Sequence, residues 1–406
     1  MRDTETKFNR VLGIVGAGLL LAVLIIPRLR SDGDASTRSK SAESGRQPLW
    51  KYKSESGGII SIALGPDGTV YAGTNNVVHA LSPDGNVKWK ASVPGMQHLS
   101  IGSDGTIYAT SSHGLIYGLG RDGKIVWDPR VGLIGFDAPG AVGADGLMLY
   151  ANTVSDLYAF NPQRSTSAVW SQSTFREGAV SENVSLPGRA RVGQMPSKNS
   201  PVIWRDETII LGRQHWLHYF DTYGTPGWFD ELTPGTLGQA ALDDDGVAYV
   251  PDDLHTIYAV THQGNLKWKY AADGGVLGSP VVGVDGTIYI ATSGTIHAIS
   301  PDGSAKWKVK MRQSCMTSPV LAADGTMYIG GDIGLFALNS DGSEKWYMRT
   351  GTVSQSPTIS PDGSIYFPCG YMWVCAAKDE GSPLAKSAWP KIYHDAANTS
   401  RILTPF

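Results

Sequence analysis

The chain has 406 residues, with 49 glycines, 12 tryptophans, 17% charged residues and a formal net charge of −3. That near-neutral balance, without a basic stripe, excludes nucleic acid as the main partner, because phosphate binding rests on clustered Lys and Arg. A 41% hydrophobic content excludes wholesale disorder, and so many glycines ask for many backbone positions at positive φ, which helix bundles do not need.

The first element is an apolar run. Residues 11–27 are 17 uncharged residues between Arg10 and Arg28; as a helix they span roughly 26 Å at about 1.5 Å per residue, the lower end of what crosses the hydrocarbon core. A cleaved signal peptide would have a shorter run ending at a small-x-small site, whereas Pro27, Arg28, Leu29 and Arg30 follow this one directly. The expectation is an uncleaved transmembrane signal anchor at 11–27, with residues 1–10 in the cytoplasm. All three cysteines, Cys315, Cys369 and Cys375, lie in the last quarter of the chain, so no amino-terminal lipid anchor is expected. Residues 28–47 are rich in Ser, Asp, Gly, Arg and Lys and lack aromatics, which reads as a flexible linker.

Beyond it the chain repeats. Trp50, Trp89, Trp127, Trp170, Trp228, Trp268, Trp307 and Trp346 are spaced by 39, 38, 43, 58, 40, 39 and 39 residues. The string Asp67-Gly68-Thr69-Val70-Tyr71 keeps the same step, recurring from Asp104, Asp285, Asp324 and Asp362, with looser copies from Asp145, Asp206 and Asp245. Within one unit, short apolar or alternating runs at 59–64, 69–73, 77–81 and 87–90 are separated by Asp-Gly and Asn-Asn, residues that hairpin turns prefer. About ten residues per strand and turn leave no room for helical crossovers, so each unit is an antiparallel meander. One such sheet cannot bury its own faces, but units arranged radially can. The expected fold is all-β, an eight-bladed β-propeller of four-stranded blades over residues 48–393, followed by a tail, 394–406. The tryptophan ends each outer strand, where a flat ring can cover the seam to the next blade. The ring closes either by pairing the strand around Trp50 with the last blade, the simpler solution, or by a strand around Trp389.

The string Ser279-Pro280-Val281-Val282 through Asp285-Gly286-Thr287-Ile288-Tyr289 to Lys306-Trp307-Lys308, repeated from Ser318 to Trp346, resembles the PQQ-type repeat family. That family includes the propellers of quinoprotein alcohol dehydrogenases and of the lipoprotein subunit of the outer-membrane β-barrel assembly machinery. Its members work mostly outside the cytoplasm, so the resemblance implies a propeller on the outer side of the membrane, in the periplasm or at the cell surface. It also raises the question of a quinone cofactor. The dehydrogenases of the family carry large inserts, adjacent cysteines, an acidic calcium site and an aspartate base; this chain has no adjacent cysteine pair and little length to spare.

Other constellations are weak. Asp243, Asp244, Asp245, Asp252 and Asp253 lack the alternate spacing of a calcium loop, and Asp245-Gly246 is already a repeat turn. His215 and His218 lie three apart on an expected strand and so point to opposite faces. His79, His255 and His297 fall singly at what read as blade-equivalent positions. No Gly-x-Ser-x-Gly elbow occurs. Cys369 and Cys375 bracket an expected hairpin at opposite strand positions and either form a disulfide or remain two buried thiols; Cys315 is left unpaired. The 58-residue step between Trp170 and Trp228 contains an insertion, residues 175–199, carrying Arg176, Arg189 and Arg191. Long loops on a rigid scaffold are often where binding is located.

The functional expectation is a membrane-anchored, non-catalytic scaffold that binds an unidentified protein partner in the cell envelope through one rim, with no catalytic, cofactor or metal residues. The alternatives are a PQQ-dependent oxidoreductase and a propeller that binds glycan or another polymer, which would need exposed aromatics clustered on one rim.

Overall fold

A computed structural model describes residues 46–128, 140–143, 148–151, 156–164, 167–173, 199–204, 206–379, 382–387, 391 and 394–395, all in one compact unit, Ser41–Phe406. The expected anchor at 11–27, Arg176, Arg189, Arg191 and Trp389 lie outside the described residues. No helix among the described residues is long and apolar enough to cross a membrane.

The chain enters at β1 (Trp50–Lys53) and then builds sheets in sequence. The first is β2 (Ser61–Leu64), β3 (Val70–Gly73), β4 (Val77–Leu81) and β5 (Val87–Ser92). The second is β6 (Met96–Ile101), β7 (Ile107–Ser111), β8 (Ile116–Leu119) and β9 (Ile125–Trp127). The third is β10 (Ala141–Val142), β11 (Met148–Ala151), β12 (Asp156–Phe160) and β13 (Ala168–Ser173). The fourth is β14 (Val202–Ile203), β15 (Ile209–Arg213), β16 (Trp216–Phe220) and β17 (Pro226–Glu231). The fifth is β18 (Ala241–Leu242), β19 (Val247–Pro251), β20 (Thr256–Thr261) and β21 (Leu266–Ala271). The sixth is β22 (Val281–Val282), β23 (Ile288–Ala291), β24 (Thr295–Ile299) and β25 (Ala305–Lys310). The seventh is β26 (Val320–Leu321), β27 (Met327–Gly330), β28 (Gly334–Leu338) and β29 (Glu344–Arg349). The last sheet is β30 (Thr358–Ile359), β31 (Ser364–Pro368), β32 (Trp373–Lys378) and, as its outer strand, β1. All the sheets are four-stranded antiparallel meanders, the blades of a β-propeller.

Trp50 faces Ala376 across the β1–β32 ladder, so strands from both ends of the domain share one sheet. The cores lie in the seams between sheets. Tyr366, Val374 and Ala376 of the last sheet pack with Ile62, Val70 and Ala72 of the first, and Ala63 and Tyr71 of the first pack with Leu99 and Ile107 of the second. Burying each Ile, Leu or Val side chain among them contributes about 1.5–3 kcal/mol. Near the axis, short polar side chains tie successive inner strands together. Leu99 N donates to Ser61 Oγ (3.1 Å), Ser200 N to Gln239 Oε1 (2.7 Å) and Ser279 N to Ser318 Oγ (2.8 Å).

The tryptophans work by a repeated device. A small residue faces most of the rings across the ladder, whereas Trp228 stacks on Tyr219. Ala80 faces Trp89 and Ala298 faces Trp307, and in these two the register shifts immediately beyond. Such a bulge bends the outer strand. The ring then docks on the last turn of the next sheet. Trp268 Nε1 donates to Pro301 O (2.9 Å), and a Cβ placed on Gly303, at φ +89°, would lie 2.7 Å from Trp268 Cγ. Trp50, Trp89, Trp170 and Trp228 repeat the hydrogen bond to the carbonyls of Pro83, Arg121, Thr222 and His262. Trp127 packs edge-on against Phe160.

Candidate interaction face

In a meander the first and third turns emerge on one side of the blade, and the second turn and the connection to the next sheet on the other. The second side carries the more distinctive chemistry. Here the β31–β32 hairpin closes through a disulfide between Cys369 and Cys375, whose Cα atoms are 5.7 Å apart. The pairing is diagonal rather than directly opposite. Cys375 faces Phe367 across the ladder, and Cys369 sits one pleat further along the same face. Both are buried against the seventh-to-last seam with Leu335 and Val353. The hairpin tip is fastened to its neighbours: Gly370 N donates to Thr352 O (2.8 Å), Ser54 N to Met372 O (2.8 Å) and Ile59 N to Tyr371 O (3.0 Å). So held, the tip presents Tyr371, 79% exposed, beside Trp373, with Lys53 Nζ 5.8 Å from the Trp373 ring centroid.

An open cleft of about 260 Å³ lies beside this hairpin, lined by Glu55, Ser56, Val77, His79 and Lys90 among others. His79 is buried at its floor, and burial, then the Lys90 charge, pushes its imidazole down to about 4, so the ring is neutral at neutral pH. Tyr52 Oη is 3.0 Å from Nδ1 and Ser56 Oγ 2.7 Å from Nε2. The Ser–His distance is that of a nucleophile and base. The repeat explains it otherwise. At the equivalent seam Tyr270 Oη is 2.9 Å from His297 Nδ1, and Asp273 takes the place of the serine, 2.7 Å from Nε2. The Ser56 hydroxyl is also shared with Thr74 Oγ1 at 3.3 Å. Both are latches in which a tyrosine from one sheet's outer strand bonds a histidine of the next sheet.

The histidine positions therefore need correcting. His79 in β4 and His297 in β24 are equivalent, and His218 in β16 is the third at that place. His255 is not: it precedes β20 at φ +70°, in a turn. His215 is also outside its strand, in the turn before β16, with Nδ1 2.8 Å from Gly235 O, so it shares no strand with His218. The aspartates separate likewise. Asp243 accepts from the amides of Asp245 and Val247 and from Tyr249 Oη, and Asp252 accepts from Thr233 Oγ1 (2.6 Å) and the amides of Leu254 and Thr256. The five residues of β19 lie between them, roughly 17 Å of strand. No cluster of metal-ligand type occurs among the described residues. Burial raises the Cys315 thiol to about 12, which leaves it inert.

Sequence reasoning missed the latches. Their signal was available: Tyr two residues after the repeat tryptophan, then His 27 residues later, at both seams.

A family model described as outer membrane protein assembly factor BamB matches residues 34–222 and 212–359. No curated protein matches the chain. Among solved structures the fold is similar to BamB from Moraxella catarrhalis, at 14% identity and TM-score 0.64, covering 82% of this chain and 99% of that one. It is also similar to Sqt1 from Saccharomyces cerevisiae, at 9% identity, TM-score 0.66 and coverage of 82% and 99%. The Dos1 propeller matches at 9% identity, TM-score 0.65 and coverage of 84% and 97%. At such identities these structures establish the fold alone.

Proposed function

Because this chain belongs to the family described as outer membrane protein assembly factor BamB, we propose that it is a non-catalytic protein-interaction scaffold of the cell envelope. In this reading residues 11–27 anchor it in the membrane, residues 28–47 tether it, and an eight-bladed propeller over 48–393 is displayed outside the cytoplasm. The observation that carries the reading is how the repeat's polar residues are used. The aspartates hold turns, the tyrosines and histidines latch seams, and the tryptophans dock on glycines. What remains is a rigid rim, suited to presenting shape to a partner. The insertion with Arg176, Arg189 and Arg191 is the proposed contact that the sequence contributes to it.

Incubation of the purified chain with PQQ and Ca²⁺, followed by dye reduction with alcohols, tests the non-catalytic half. No quinone absorbance and no reduction are expected; alcohol-dependent turnover would overturn it. Extraction of membranes at alkaline pH tests the anchor, with the full chain expected in the pellet and a variant lacking residues 1–27 in the supernatant. Tyr371 and Trp373, exposed together on one hairpin, favour glycan binding as a second reading. Quenching of tryptophan fluorescence by soluble glycan fragments, lost in Trp373→Ala, would support it.

A further inference from the structure

Each sheet ends in an outer strand that pairs on one side only among the described residues. An open edge is a template for pairing with another chain, and lysine is a common device for blunting it. Most outer strands here carry that device next to the repeat tryptophan. Lys88 and Lys90 flank Trp89, Lys267 and Lys269 flank Trp268, Lys306 and Lys308 flank Trp307, Lys345 precedes Trp346, and β1 holds Lys51 and Lys53. The neighbouring strands β9, Ile-Val-Trp, and β13, Ala-Val-Trp-Ser-Gln-Ser, carry no charge at all. At the position of Lys88 they place Val126, 62% exposed, and Val169, 58% exposed.

In the second sheet local structure does not force this exchange; in the third, Leu147 stands where Thr69 supplies the acceptor in the first. Lys88 Nζ lies 2.7 Å from Thr69 Oγ1 and 3.3 Å from Asp67, and Lys306 repeats both contacts with Thr287 and Asp285. In the second sheet the same acceptors are present, with Thr106 Oγ1 bonded to Asp104 at 2.9 Å. A lysine at 126 would find them, yet a valine stands there exposed. The fourth sheet's outer strand differs again, ending in Asp230 and Glu231. The arc without charged residues is therefore confined to two adjacent sheets, and of the two β13 offers the longer edge, regular over Trp170–Ser173 beyond a bulge at Val169.

We propose that the outer edge of β13 is a strand-addition site for an extended, uncharged segment of a partner polypeptide. The inference rests on the interaction reading above. Main-chain hydrogen bonds along the edge would supply affinity, and the alternating side chains selectivity. The occupant is uncharged because the edge offers no countercharge, unlike the lysine-bearing edges, which suit acidic segments. A second copy is the poorer fit, since two six-residue edges bury far less than the roughly 1,200 Å² of a stable dimer.

The test uses the full chain in detergent and a fluorescent, soluble peptide of alternating threonine and valine. Binding is read by fluorescence polarisation and mapped by amide hydrogen exchange. The peptide should slow exchange within residues 168–173, and Val169→Lys should weaken binding about tenfold or more by restoring the edge charge. Val87→Lys, at an exposed valine of the lysine-bearing β5, should bind like the wild type, and circular dichroism should be the same for all three proteins. Equal binding by Val169→Lys, or protection mapped elsewhere, overturns the site while leaving the interaction reading intact, because co-purification tests that reading separately. Amides of 168–173 already fully protected without peptide would also overturn it, as would a concentration-dependent dimer abolished by Val169→Lys.

Discussion

Replacing Gly303 with alanine tests the seam device at one of its close contacts. The residue sits at φ +89°, and a Cβ there would lie 2.7 Å from Trp268 Cγ and 2.8 Å from Cδ2. Holding an alanine in the left-handed region costs about 1–2 kcal/mol. The ring must also lift, which weakens the 2.9 Å hydrogen bond from Trp268 Nε1 to Pro301 O, worth about 1 kcal/mol. Uncovering on the order of 40 Å² of the seam costs about 1 kcal/mol more. Gly303→Ala should therefore destabilise the chain by about 3 kcal/mol. Gly294→Ala is the control. Nothing lies within 4 Å of its added Cβ and its φ is not positive, so its effect should stay within about 1 kcal/mol of zero. Equilibrium urea unfolding followed by tryptophan fluorescence measures both. A loss below about 1 kcal/mol for Gly303→Ala, or equal losses for the two variants, would refute the docking account.

Two further outcomes follow from the seams. His79 is depressed from the ordinary histidine value to about 4, chiefly by burial, so the unfolded chain takes up a proton that the folded chain refuses. Stability is full above about pH 6.5 and falls as pH drops toward 4, by about 2–3 kcal/mol in all. Urea titrations between those pH values should show this loss in the wild type and a smaller one in His79→Gln; parallel pH profiles would contradict the neutral latch. The disulfide closes a short loop, so Cys375→Ser should cost about 2 kcal/mol and speed hydrogen exchange at residues 369–373. Unchanged exchange there would mean that the backbone contacts of the tip suffice without the bond.

Much of the architecture was legible because it is periodic and local. Asp-Gly turns, alternating strands and one tryptophan per unit specify a four-stranded meander, but the sequence left closure open between the strands around Trp50 and Trp389, and the β1–β32 ladder pairs Trp50 with the last sheet. The limits of that reading lie where geometry crosses between sheets. Residues 59 and 60 read as strand, yet β2 begins at Ser61, and Ile59 N donates across to Tyr371 O of the disulfide hairpin rather than within its own sheet. His255 fell near the expected spacing, but its left-handed turn removes it from the row formed by His79, His218 and His297. The latches join residues 27 apart on different sheets, a pairing invisible to a strand-by-strand reading. The edge chemistry was visible as composition but had no meaning until the outer strands were known.

A scaffold that works by binding must hold a partner in the cell. The most direct measurement is cross-linking in intact cells, followed by purification of the full chain from detergent-solubilised membranes and mass spectrometry of the linked peptides. The expected result is a reproducible protein partner whose cross-links map to the propeller rim and diminish when residues 175–199 are deleted. Recovery of the chain alone, with no partner above the background of an unrelated membrane protein, would contradict it.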